Sequence, residues 1–103
     1  MTKVEFAGYD CTTAFDTYSF DGSIALRLIG RDEEFGFPVP IATATVCVEG
    51  SALKDGEVLI KDWSENKGMF KALEKAGVVE DTGKRVKTGF VEAIVCRLLV
   101  STP

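Results

Sequence analysis

The stretch Lys61-Asp62-Trp63-Ser64-Glu65-Asn66-Lys67-Gly68 crowds the chain's only Trp among carboxylates, ammonium groups, a hydroxyl and an amide. Two readings fit these residue types. As a site, a helix that starts here offers free backbone N–H groups to an anion, and Lys67 with Trp63 would hold a phosphate or an aromatic ligand. As scaffold, Asp62, Ser64 or Asn66 caps the helix, Trp63 staples it to a sheet and Gly68 allows close backbone approach. The scaffold reading takes precedence.

Two further segments carry residues able to bind. Phe35-Gly36-Phe37-Pro38-Val39-Pro40 puts two aromatic rings among turn formers. Phe35 and Phe37 either make a sticky contact for a partner or fold back over the open end of the core. Lys84-Arg85-Val86-Lys87 concentrates cations on a hairpin that follows a helix. Lys84, Arg85 and Lys87 would be the nucleic-acid contacts of a winged helix, but strands stand where that fold needs an earlier helix. Glu80 and Asp81 also offset the hairpin's charge.

No residue set suggests catalysis. The chain has no His, which removes Ser-His-Asp, Cys-His and H-E-x-x-H chemistry. Neither a Walker loop nor G-x-G-x-x-G occurs. Asp32-Glu33-Glu34 lacks the alternating ligand spacing of an EF-hand and reads as solvated surface. No catalytic residue, metal or cofactor is expected. Cys11, Cys47 and Cys96 are three in number, widely spaced and outside any C-x-x-C pair, so they read as reduced thiols, Cys47 and Cys96 within apolar runs.

The elements around these segments change period midway. Asp21-Gly22 between two alternating runs signals a two-residue hairpin turn. That turn would put Phe15 opposite Leu28, Thr17 opposite Leu26, Ser19 opposite Ile24 and Asp16 opposite Arg27. Residues 30–40 read as a loop, 41–49 as a strand and 57–61 as another. Met69, Phe70, Leu73 and Ala76 then form an apolar stripe of helical spacing, predicting a helix over about 64–76 that Gly77 ends. Residues 78–80 and 84–87 flank a turn at 81–83, and the final strand, 90–100, is nearly continuously apolar over 93–100, so it belongs in mid-sheet. The expected fold is α+β: a mostly antiparallel sheet of about five to seven strands on one helix.

The bulk numbers bound the rest. A chain of 103 residues with 46% hydrophobic and 27% charged residues suits one domain, residues 1–103. No apolar run reaches the roughly 18 residues a membrane span needs, and Met1–Glu5 lacks a secretory layout, so the chain reads as cytoplasmic. A net charge of −4 disfavours nucleic acid. That charge is uneven: residues 1–53 hold three basic residues against eight acidic, whereas 54–103 hold nine against eight. An acidic half suits a protein partner with a basic surface.

Gly56-Glu57-Val58-Leu59-Ile60-Lys61-Asp62-Trp63-Ser64-Glu65-Asn66, then Ala76-Gly77-Val78-Val79-Glu80-Asp81-Thr82-Gly83 and Gly89-Phe90-Val91-Glu92-Ala93, resemble an uncharacterised family of small proteins. Its members are encoded by bacterial phages, plasmids and integrative elements, and the likeness covers about residues 56–99. The resemblance implies a genetic setting and no catalytic residue. In that setting small acidic proteins often inhibit host defence complexes, as anti-CRISPR proteins do. The expectation is therefore a non-enzymatic protein that binds a host or phage protein. The alternatives are a nucleic-acid accessory protein and a sensor of small anions. A homodimer through an open strand edge is compatible with the sequence.

Overall fold

A computed structural model describes residues 2–100. In these residues seven strands form two antiparallel sheets beside one short α-helix, an α+β fold as expected. The first sheet is β1 (Lys3–Phe6), β2 (Tyr9–Thr17), β3 (Ile24–Arg31) and β4 (Pro38–Thr43), in chain order. The second is β5 (Glu57–Ile60), β7 (Val91–Leu98) and β6 (Val79–Thr88), with β7 in the middle. Between β5 and β6 lie a 3₁₀ turn, Ser64–Asn66, and α1 (Met69–Lys75).

Hydrophobic alternation decides which face of each strand is buried. Val4, Cys11, Leu26 and Leu28 of the first sheet meet Val58, Ile60 and Cys96 of the second in one core, sealed by Met69 and Leu73 of α1. Each of these residues is at most 2% exposed. β7 is covered on both faces along residues 93–96, which explains the apolar run there between exposed Glu92 and Arg97. Cys96 points to the main core, while Ala93 and Val95 point the other way with Leu59. Val46, Val48, Leu53, Trp63 and Val86 cover this second cluster.

The chain passes from sheet to sheet at residues 44–46. The Ala44 N–H donates to Leu26 of β3 at 2.8 Å, and the Val46 N–H to Leu59 of β5 at 3.1 Å. Thr45 is buried between them, its hydroxyl bonded to Tyr18 Oη (2.9 Å) and accepting the Leu26 N–H (3.1 Å). Of the strand expected over 41–49, only 41–43 is strand, with an isolated bridge at Thr45. It begins earlier, in β4, and after Thr43 becomes the crossing.

The first hairpin forms in a different register from the one expected. Phe15 faces Leu26 and Thr17 faces Ile24, a slip of two residues. Asp21 stays out of the left-handed region, and only Gly22 enters it, at φ 75°. The Asp21 carboxylate accepts the Ser23 N–H (2.9 Å) and hydroxyl (2.6 Å), holding a wider loop across which the Tyr18 N–H reaches Ser23. Because strand side chains repeat every second residue, the slip leaves every face unchanged. Asp16 and Arg27 are consequently diagonal rather than opposite, yet still pair at 3.4 Å.

The loop expected over 30–40 narrows to residues 32–37. Gly30 and Arg31 continue β3, and Pro38 to Pro40 open β4. The hairpin closes because the Asp32 N–H reaches the Phe37 carbonyl (2.8 Å), while Asp32 Oδ1 accepts the Glu34 N–H (2.7 Å). Likewise residues 78–88 are one strand from Val79 onward, with an irregularity between Asp81 and Arg85 in place of the expected turn. The last strand is also shorter than 90–100, covering Val91–Leu98.

The helix starts later than the spacing predicted. Gly68, at φ 91°, interrupts the chain between the 3₁₀ turn and α1, so 64–76 is not one helix. Its end agrees with the sequence. Gly77 is left-handed at φ 74°, with the Gly77 N–H on Glu74 (3.0 Å) and the Val78 N–H on Leu73 (2.9 Å). These are the paired bonds of a Schellman motif, and buried Val78 and Leu73 supply its apolar contact.

Candidate functional site

The polar segment 61–68 is held by internal partners. Asp62 Oδ1 accepts the Phe70 N–H at 2.9 Å, capping α1 in place of Gly68, which has no side chain to do so. Asn66 is 1% exposed, and its Nδ2 donates to the Thr43 carbonyl at 2.7 Å, tying the 3₁₀ turn to the end of β4. Ser64 is exposed at φ 54° and makes no side-chain cap.

Trp63 does not staple α1 to the sheet. It packs with Leu59, Ala93 and Val95, on the face of β5 and β7 opposite the helix. Lys61, not Lys67, lies over its ring, with Nζ 5.9 Å from the centroid. Lys61 also pairs with Glu65, whose carboxyl is held below the usual range by that hydrogen bond. Lys67 stands in solvent. The expected anion cradle would therefore meet a carboxylate already on the Phe70 N–H, at the start of a helix of seven residues.

Two of the basic hairpin's three cations are held in ion pairs. Arg85 grips Asp81 with two hydrogen bonds of 2.8 and 2.9 Å, and Lys84 pairs with Glu57 at 3.0 Å. Lys87 sits opposite Glu92 in the β6–β7 register. The Arg85 guanidinium, then the Gly83 N–H, hold the Asp81 carboxyl below its ordinary value. For Glu57 the Lys54 N–H acts first and Lys84 second. A cation committed to a carboxylate has less to offer a phosphate.

Phe35 and Phe37 stay free of such commitments. They are 68% and 65% exposed at the tip of the β3–β4 hairpin, so they do not fold back over the core. Their ring centroids lie 6.2 Å apart at 43°, within the range of favourable aromatic pairs. Asp32, Glu33 and Glu34 precede them, and the Arg31 guanidinium fixes the loop by donating to the Gly36 carbonyl at 2.9 Å.

Two exposed rings went unnoticed in the sequence. Phe20 (68% exposed) and Phe90 (107%) occupy other turn tips. The available signal was an aromatic directly beside Asp21-Gly22 and directly after Thr88-Gly89. Two open clefts mark the surface, of about 690 Å³ beside β1 and β2 and about 430 Å³ between residues 21–24 and 50–57. Trp63 lines neither. Among the described residues no three Cys, Asp or Glu converge as a metal site, and no helix is long and apolar enough to cross a membrane.

Comparison of the chain with protein-family models, curated proteins and solved structures finds no match.

Proposed function

We propose that this is a non-enzymatic binding protein that acts by surface contact with another protein. The observation that carries the reading is the Phe35–Phe37 pair, two aromatic rings held in solvent on a braced hairpin. Leaving two Phe side chains in water forgoes about 1.5–3 kcal/mol each, which a partner recovers by covering them. The neighbouring Asp32, Glu33 and Glu34 favour a partner surface that is basic around an apolar pocket. The resemblance of residues 56–99 to proteins of phages and mobile elements supports a host protein as that partner, a defence complex being the class such proteins address.

The test is affinity capture from bacterial lysate with the wild-type chain and with Phe35→Ser/Phe37→Ser. A stoichiometric partner retained by the wild type and lost by the variant is the expected result. Turnover of a nucleotide or nucleic acid by the purified protein alone would overturn the proposal. The nucleic-acid alternative predicts gel shifts that weaken steeply with salt and need Lys84, Arg85 and Lys87. The ion pairs of Lys84 and Arg85 weigh against it.

A further inference from the structure

Among the described residues, β1 is the sheet edge left open for a second chain. β4 is blunted, because the hydrogen-bond phase of the β3–β4 pairing, set by Asp32 on Phe37, turns Pro38 and Pro40 outward, where no N–H exists to donate. β5 is covered by residues 45 and 46 through the Thr45–Ile60 bridge and the Val46 bond. β6 is broken by its irregularity between Asp81 and Arg85. None of these devices protects β1.

The phase of β1 is set by the Thr13 N–H bonding the Thr2 carbonyl at 2.9 Å. In an antiparallel ladder, alternate residues point their backbone groups to alternate sides. Thr2, Val4 and Phe6 therefore face β2, and both backbone groups of Lys3 and Glu5 face outward. The side chains of Lys3 and Glu5 are exposed as well, whereas Val4 and Phe6 are buried.

We propose that β1 pairs antiparallel with β1 of a second copy, joining two four-stranded sheets about a two-fold axis at Val4. Outward groups must meet outward groups, which leaves three two-fold symmetric registers for Lys3 and Glu5. Lys3 against Lys3 and Glu5 against Glu5 put like charges face to face, a destabilising arrangement. The third sets Lys3 against Glu5 of the second copy and Glu5 against its Lys3, forming about four backbone bonds and two opposite-charge pairs. Charge complementarity thus selects a single register, with this chain as its own partner. The surface is separate from the Phe35–Phe37 tip, so the pairing stands or falls independently of the proposed function.

Sedimentation equilibrium of the full chain, from micromolar to millimolar concentration, tests this. Reversible dimerisation is expected, with slowed amide exchange at Lys3 and Glu5 as the dimer forms. Glu5→Lys faces lysine with lysine and should weaken the dimer on the order of tenfold, and Lys3→Glu/Glu5→Lys should restore it. Glu5→Pro deletes an N–H that makes no bond within the chain and should abolish pairing while preserving the far-UV spectrum. Phe35→Ser should dimerise like the wild type. A chain monomeric throughout, or a dimer indifferent to Glu5→Lys or lost in Phe35→Ser, overturns the proposal.

Discussion

Asp62 caps a helix to which it does not belong: its carboxylate holds the Phe70 N–H at 2.9 Å from eight positions upstream. The intervening 3₁₀ turn, anchored by Asn66 on Thr43, brings the two together. Asp62→Ala should cost about 1–2 kcal/mol in urea denaturation, and Asp62→Asn distinctly less, since an amide oxygen still accepts. Equal losses in both variants would assign the effect to charge rather than to the hydrogen bond.

Asp81 and Arg85 clasp the irregularity in β6. Both side chains are about a third exposed, so Arg85→Ala should cost under about 1 kcal/mol at neutral pH. The sign of its pH dependence follows from the lowered Asp81 value. A carboxyl with a folded pKa below its unfolded one stabilises above the ordinary value of about 3.9, and loses that contribution as pH falls through the folded value. Thermal melts of wild type and Arg85→Ala should therefore converge in acid. A gap that stays constant would point to packing by the Arg85 stem.

The three thiols should separate by reactivity. Burial pushes Cys96 up to about 12, helped by nearby Asp81, and raises Cys11, aided by Asp10, and Cys47, aided by Asp21, so accessibility decides the order. Both lie in the main core, whereas Cys47 is half-buried beside the inter-sheet crossing. Alkylation followed by mass spectrometry at mildly alkaline pH should mark Cys47 first, with Cys11 and Cys96 reacting only as denaturant opens the chain. Early modification of Cys96 would contradict its place between the sheets.

Thr45 joins the sheets through its hydroxyl, so Thr45→Val is nearly isosteric and chemically costly. It leaves the buried Leu26 N–H without its acceptor and removes a partner from Tyr18. We expect a loss of about 2–3 kcal/mol, against about 1 kcal/mol for Tyr18→Phe, measured by chemical denaturation. Thr45→Ser should keep the bonds and most of the stability.

The sequence carried the fold class because its signals were periodic. The nearly continuous apolar run ending at Val100 placed β7 in mid-sheet, and Gly77 was legible as a helix end because the left-handed position there suits Gly. Register and helix start were decided by single side chains that periodicity does not weigh. Asp21 widened the first loop by bonding Ser23, and Asp62 moved the cap away from Ser64 and Asn66, two equally good capping types. In the segment 61–68 the types were right for a ligand, but Trp63 was claimed by the outer cluster and Asn66 by a β4 carbonyl. Exposure of Phe35 and Phe37 needed the hairpin geometry, since 30–40 also read as one long loop.

The passage of the chain from one sheet to the other has a consequence for how the protein can be divided. Residues 2–43 and 57–100 each supply one wall of the same interior, Leu26 and Leu28 on one side, Val58, Ile60 and Cys96 on the other. A protease cut near Ala52, which is exposed at φ 53°, would divide the chain into two pieces with matching apolar faces. Neither piece has a closed interior by itself, so the nicked halves should stay clasped and re-form the fold when mixed, as a split protein does.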